Sequence, residues 1–175
     1  MLSKSLIAIM CFMFVLGTSA KAQDFEYIGA AKCKPCHNAT PKGKQYDKWA
    51  NGPHANAMKS LSNEKSMAYA KANGIADPTK EKSCLKCHST FHAINPDLNM
   101  SLKEDEGVSC ESCHGPGSKY KSPAIMKSHE KSLANGLIVP DKALCVTCHN
   151  PENPFHKPFD YAAYSAKIAH PNPSK

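Results

Sequence analysis

Four copies of the pattern Cys-x-x-Cys-His occur along the chain at unequal intervals. They are Cys33/Cys36/His37, Cys84/Cys87/His88, Cys110/Cys113/His114 and Cys145/Cys148/His149. Two thiols separated by two residues can add to the two vinyl groups of one haem, and the next residue then brings an imidazole to the iron. The pattern therefore predicts four covalently attached c-type haems, each held by two cysteines and ligated by the adjacent histidine.

Three other uses of paired cysteines explain the pattern less well. Disulfides are common in exported proteins, and paired Cys-x-x-Cys motifs can hold zinc, but neither use requires a histidine directly after each pair. A thioredoxin-like redox motif would occur once, next to a strand–helix–strand pattern. Four haems remain the prediction, and the ninth cysteine, Cys11, lies outside the four motifs.

Five further histidines could supply the second axial ligand of an iron. We expect axial ligation from His54, His129 and His170, with His92 and His156 as the alternatives. His54 follows a proline and His170 ends a helical pattern, so both positions are stiff, as an axial ligand requires. His92 lies so close to its own motif that it could reach only another haem. With these histidines available, the methionines of the mature chain are expected to pack rather than to bind iron.

The polypeptide has too few large apolar side chains to form a sizeable core by itself. Leu, Ile, Val and Phe account for only 20 of the 153 residues 23–175, and Trp49 is the single tryptophan. Such a composition is typical of disordered chains unless another group supplies apolar mass. Because four haems would supply it, we predict a mainly α-helical coat with much irregular coil, wrapped round a four-haem stack.

The helical patterns are short and are separated by turn signals. We expect helices over residues 42–50, 62–74, 123–134 and 159–169, turns at 95–97 and 115–117, and a loop over 150–158. A β pattern is limited to residues 137–139.

The first 22 residues have the pattern of a cleaved signal peptide. Lys4 precedes an uncharged apolar run over residues 6–16, which is shorter than the roughly 20 residues that cross a membrane. Ala20-Lys21-Ala22 matches an export cleavage site. We therefore predict a mature tetrahaem domain over residues 23–175, periplasmic or extracellular, with no integral membrane segment.

All 22 basic residues are lysines, and the formal net charge is +7. The lysines are scattered, and the sequence contains no arginine, the residue best suited to bidentate phosphate contacts. We therefore expect no nucleic acid partner. The four predicted haems instead indicate donor and acceptor redox proteins as partners.

Several motifs resemble the tetrahaem cytochrome c-554 family. They are the run GVSCESCHGPG over residues 107–117, the segment from Trp49 to His54 with the following residues 55–58, the order of the four motifs, and the late His170. The resemblance implies a mainly helical coat round haems in close parallel and perpendicular pairs. It implies that His54 ligates the third haem and His170 the fourth.

The resemblance also implies that a histidine after the third motif ligates the first haem, for which His129 is the nearest candidate. It implies an open face on the second haem, which His156 or His92 could close. An open iron can bind a small molecule, whereas a saturated iron only passes electrons.

These features favour a periplasmic electron-transfer protein that needs no catalytic residue. Two alternatives are open. An open second haem, at Cys84, Cys87 and His88, could reduce a small nitrogen compound such as nitric oxide. A spare histidine could instead ligate a haem of the next chain, which would give a homo-oligomer or an extracellular cytochrome filament.

Overall fold

A computed structural model of the chain describes residues 25–171 and 173. The predicted signal peptide, residues 1–22, lies outside the described residues. Within them the regular structure is helical, and the only β pairing is an isolated parallel bridge between Tyr27 and Asn99. The expected mainly α fold with much irregular coil is confirmed. The β pattern at 137–139 is wrong, because these residues form no strand.

The helices of the described residues are short, the longest having nine residues. The α-helices are α1 (Lys34–His37), α2 (Gln45–Ala50), α3 (Ala57–Ser60), α4 (Glu64–Ala72), α5 (Lys82–His88), α6 (Thr90–Ala93), α7 (Cys110–His114), α8 (Pro123–Met126), α9 (His129–Ala134), α10 (Lys142–Cys145) and α11 (Tyr161–Ile168). The 3-10 helices are Ala30–Lys32, Thr40–Lys42, Pro96–Leu98 and Glu104–Glu106. In the part of the chain described, no helix has the length and apolar character needed to cross a membrane.

Capping side chains explain where two predicted helices differ from the observed ones. The pattern over residues 123–134 divides into α8 and α9, because Ser128 accepts a hydrogen bond from the Lys131 N–H at 3.3 Å and starts a new helix there. The pattern over 159–169 begins later, at Tyr161, because Asp160 caps α11 by accepting from the Ala163 N–H at 3.1 Å.

Each attachment motif coincides with a helical turn. The second and third motifs lie wholly within α5 and α7. The first and fourth motifs also form a helical turn. The N–H of His37 donates to the carbonyl of Cys33, and the N–H of His149 donates to the carbonyl of Cys145, both at 3.0 Å. Residues i, i+3 and i+4 of a helix share one face, so each motif presents both sulfurs and its imidazole on the same side.

The apolar core of the protein itself is small. Among the described residues, the buried hydrophobic side chains are Ile28, Ala30, Leu61, Ala70, Leu85, Leu102 and Tyr120. Val139 and Met100 are respectively 61% and 53% exposed, although both are large and apolar. The chain buries little of its own apolar surface, as its composition predicts.

Candidate functional site

His54 lies opposite His149, the histidine of the fourth motif. The two ring centroids are 6.1 Å apart, and the ring planes are inclined by 68°. Two metal–nitrogen bonds of about 2 Å, plus about 1 Å from each nitrogen to its ring centre, add to about 6 Å. The pair therefore fits the two axial positions of one haem iron.

His170 lies in the same relation to His114, the histidine of the third motif. Their ring centroids are 6.0 Å apart at 80°. The Nδ1 atom of His170 lies 2.8 Å from the carbonyl oxygen of Ile168, and that of His114 lies 3.4 Å from the carbonyl of Ile138. An imidazole that donates Nδ1–H to a carbonyl leaves Nε2 for a metal, so this pair also fits one iron.

These two pairs reverse the assignment that the resemblance implies. His54 was expected at the third motif and His170 at the fourth, but the structure brings their rings to the fourth and the third respectively. The physical reason is backbone placement. The carbonyl of His54 accepts from the Val108 N–H at 2.9 Å, beside the third motif, and its ring then points away toward the fourth.

A glycine and a tryptophan hold the His54 segment in place. Gly107 has φ +70°, and a Cβ there would lie 2.7 Å from the carbonyl oxygens of both His54 and Ala55. The indole N–H of Trp49 donates to the Val108 carbonyl at 2.9 Å. The glycine of the GVSC run is therefore required by a close backbone approach that positions His54.

The second motif has a firmly held histidine. The Nδ1 atom of His88 lies 2.8 Å from the carbonyl oxygen of Ala57 and 3.2 Å from the hydroxyl of Ser60. Donation from Nδ1 to the carbonyl leaves Nε2 directed to a metal. Among the described residues, no second imidazole pairs with the ring of His88, and none with that of His37.

The other three histidines lie elsewhere. His129 is exposed at the start of α9. The Nε2 atom of His92 is 3.2 Å from a carboxylate oxygen of Glu104. His156 and His149 both line a cavity of about 160 Å³. Within the described part of the chain none of the three pairs ring to ring with a motif histidine, so their ligation stays a prediction.

Burial favours the neutral imidazole, which is the form that binds metal, at His54, His114 and His149. It lowers the pKa of His54, and the neighbouring His149 lowers it further. Burial likewise lowers the pKa of His114, with smaller effects from the Ile138 carbonyl, which opposes it, and from His170. The pKa of His149 is lowered by burial and then by His156.

The thiols show which motifs are neighbours. The Cys33 and Cys110 thiols lie close enough to interact, which lowers the pKa of Cys33 and raises that of Cys110. Burial, followed by the nearby Cys148 thiol, raises the pKa of Cys87 to about 11. Burial also raises the pKa of Cys113, and the next contributions come from the two fourth-motif thiols. The motifs are therefore adjacent in the order first, third, fourth, second.

Cys36 differs from the other seven predicted attachment cysteines in its exposure to solvent. The other seven are half-buried, whereas Cys36 is exposed. Cys33, rather than Cys36, lies near the third motif. The attachment role of Cys36 stays a prediction of the motif.

Polar side chains also link segments that carry different motifs. Lys86, within the second motif, lies 3.4 Å from a carboxylate oxygen of Glu152 in the loop after the fourth motif. The hydroxyls of Thr90 and Ser112 are 2.5 Å apart and join the segment after the second motif to the third motif. The cysteines of the four motifs are unpaired in the described residues, as attachment of haem requires.

Some residues of the site were not found from the sequence. The ring of Phe159 stacks on the imidazole of His149 at 4.9 Å and 15°. Ser60 and Ala57 orient His88. The only sequence signal for Phe159 is an aromatic residue directly after the loop that follows the fourth motif, and no signal marks Ser60.

Comparisons of the sequence with known proteins identify the family of the chain. Residues 32–115, which contain the first three motifs, match the family described as cytochrome c554 and c-prime. Cytochrome c-554 of Nitrosomonas europaea is 32% identical over 166 residues, which cover 85% of this chain and 68% of that relative. The chain belongs to the cytochrome c-554 family.

Membership of the cytochrome c-554 family confirms the resemblance seen in the motifs. It makes the chain a c-type cytochrome, with covalently attached haem iron and a role in electron transfer. No solved structure was significantly similar to the chain. Paired imidazoles, attachment thiols on the same helical face and a shortage of apolar side chains all fit haem as the resident cofactor.

Proposed function

We propose that the chain is a periplasmic tetrahaem cytochrome that carries electrons between two redox proteins. The observation that carries this proposal is the pair of opposed imidazole couples, His54 with His149 and His114 with His170. Two neutral imidazoles saturate an iron, and saturated iron exchanges electrons without binding a substrate. When bound, haem supplies one-electron chemistry between the ferric and ferrous states.

The order of the motifs gives the path of the electrons. The proximity of the thiols supports a spatial order in which the third and fourth motifs lie in the middle, the first motif lies next to the third, and the second lies next to the fourth. The Thr90–Ser112 hydrogen bond and the exposed Lys86–Glu152 ion pair link segments that carry the motifs. Fixed separations between the haems would matter, because electron transfer requires little nuclear rearrangement.

The signal-peptide pattern supports a periplasmic location, with haem attached after export. Exposed lysines over much of the surface favour weak, salt-sensitive encounters with redox partners that carry acidic faces.

Spectroscopy of the purified holoprotein tests this function. We expect four haems for each chain, with low-spin signals from the third and fourth haems and transfer of four electrons in a reductive titration. Loss of both predicted bis-histidine signals, with carbon monoxide bound at every haem, would contradict the proposal.

The second haem allows a second candidate function. His88 is anchored by Ala57 and Ser60, and within the described residues no imidazole stands opposite it. An iron ligated on one side only could bind and reduce a small nitrogen compound such as nitric oxide. Turnover of nitric oxide that disappears in a His88→Ala variant, while the other three haems stay attached, would support this candidate.

A further inference from the structure

Glu111 is a buried carboxylate at the first variable position of the third motif. It is 2% exposed. Its oxygens accept from the N–H of Ile28 at 3.0 and 3.1 Å, from that of Gly29 at 2.8 Å and from that of Gly117 at 2.6 Å. The donors lie on two segments, one just before the first motif and the other in the turn after the third.

Glu106 extends this arrangement by one residue. Its carboxylate accepts from the N–H of Ala30 at 3.1 and 3.2 Å. Three consecutive N–H groups, from Ile28 to Ala30, therefore point at two carboxylates immediately before the first motif. We name Glu106 and Glu111 the carboxylate clamp.

Two glycines permit the close approach of backbone to the carboxylate clamp. Gly29 has φ +79°, and a Cβ there would lie 3.0 Å from an oxygen of Glu106. A Cβ at Gly117 would lie 3.1 Å from an oxygen of Glu111 and 2.8 Å from the side chain of Ile28. A side chain larger than glycine at position 29 would crowd Glu106, and one at position 117 would crowd Glu111.

The negative charge of the clamp has no cationic partner in the described residues. Their ion pairs join Lys80 to Asp77, Lys86 to Glu152 and His92 to Glu104. Burial raises the pKa of Glu111, whereas hydrogen bonds from the N–H groups of Ile28, Gly117 and Gly29 to the ionised carboxylate lower it. Burial, followed by the nearby Glu111 carboxylate, raises the pKa of Tyr27.

We propose that the carboxylate clamp positions the first attachment segment on the third motif and lowers the reduction potentials of the two haems held there. Glu111 follows Cys110 directly in the chain, and the Cys110 thiol lies near that of Cys33, so haems attached at the first and third motifs would lie near the charge. Each iron gains one electron in passing from ferric to ferrous, with no bond or proton change. A fixed negative charge in a medium of low dielectric opposes that gain.

This inference rests on the proposed tetrahaem function, and a Glu111→Gln variant of the holoprotein tests it. The amide oxygen can still accept backbone N–H bonds, whereas the charge is removed. We expect two of the four midpoint potentials to move to more positive values in a dithionite titration followed by electron paramagnetic resonance. We also expect faster hydrogen exchange at residues 28–30, a readout that is independent of electron transfer.

Two further variants make the test decisive. Glu106→Gln removes the more exposed charge and should move the same two potentials by a smaller amount. Glu64→Gln, at an exposed position in the first turn of α4, removes an equal charge elsewhere and should move neither.

The outcomes separate the inference from the proposed function. Unchanged potentials in both clamp variants, or equal shifts of all four haems, would overturn the inference while leaving a tetrahaem carrier intact. If Glu111→Gln binds fewer haems than the wild type, the positioning role is supported and the Glu106→Gln potentials decide the role of the charge. A wild-type haem count below four would instead overturn the proposed function.

Discussion

The ring centroids of His54 and His149 lie 6.1 Å apart, although the two residues are far apart along the chain. The His54 backbone is bonded to Val108, just before the third motif, while its ring reaches the fourth. One short segment therefore connects two neighbouring haem sites. The His54 segment is therefore a second observation, besides the thiol contacts, that places the third and fourth motifs next to each other.

Replacement of His54 by alanine is expected to convert one haem of the four from low spin to high spin, because one iron loses an axial ligand. Electron paramagnetic resonance of the oxidised protein measures this change, and added imidazole should reverse it. His54→Met should keep that haem low spin and raise its potential, because methionine–histidine ligation raises the potential.

A background without the fourth haem identifies which iron His54 serves. In a Cys145→Ser, Cys148→Ser variant, His54→Ala should produce no additional high-spin signal. A new high-spin signal in that background would assign His54 to another haem.

Gly107→Ala is expected to lower the free energy of unfolding of the holoprotein by about 3 kcal/mol or more. Its backbone has φ +70° and ψ −139°, a region open essentially to glycine alone, and the new Cβ would meet two carbonyl oxygens. Gly74→Ala is a matched control, because φ is +71° there but no atom lies within 4 Å of the new Cβ. The control should lose only about 1–2 kcal/mol. Equal losses in denaturant unfolding would show that the close approach to His54 is unimportant.

The stability of the holoprotein is expected to fall as the pH drops below about 6.5. Burial lowers the pKa of His54 and of His114 from the ordinary value of 6.5, and iron bound to either imidazole would lower its folded-state pKa further, because only the neutral imidazole binds metal. Between the lowered and the ordinary pKa the unfolded chain binds more protons, so stability is complete above 6.5 and decreases toward lower pH. Each such histidine contributes a slope of about 1.4 kcal/mol per pH unit.

Unfolding in denaturant at pH 7.5 and pH 5.5 measures this slope. His54→Met should reduce it, because methionine does not titrate. An identical slope in wild type and variant would assign the pH dependence to other groups.

The chain is expected to remain unfolded without haem. Its buried apolar side chains are few, and several large ones such as Val139 and Met100 are exposed, so polypeptide packing alone cannot offset the loss of conformational entropy. A variant with all eight motif cysteines changed to serine should show no cooperative thermal transition in circular dichroism. A sharp transition in that variant would contradict the prediction.

The chemistry of this protein could be predicted further than its geometry. Each Cys-x-x-Cys-His motif is local, because one helical turn carries all three groups, so the sequence alone indicates haem attachment. The partners of His54 and His170 depend on how distant segments pack, and spacing along the chain does not determine them. The expected pairing, His54 with the third motif and His170 with the fourth, is accordingly the reverse of the observed one. The exposure of Cys36 was likewise not expected, because no feature of its own motif distinguishes it from the other cysteines.

Helix-capping side chains and one buried carboxylate account for the other differences between the predicted and the observed structure. Ser128 and Asp160 divide or shorten helices that hydrophobic spacing alone would continue. Glu111 is an acidic residue at a variable motif position, where a solvent-exposed side chain is the ordinary expectation. Only the fold reveals that two distant backbone segments donate to its carboxylate.

The intact mass of the exported protein tests the central claim, four covalent haems on one chain, most directly. The account predicts a mass equal to the polypeptide from Gln23 to Lys175 plus four haems. A chain carrying three or fewer haems, or a haem-free chain with its cysteines in disulfides, would contradict it.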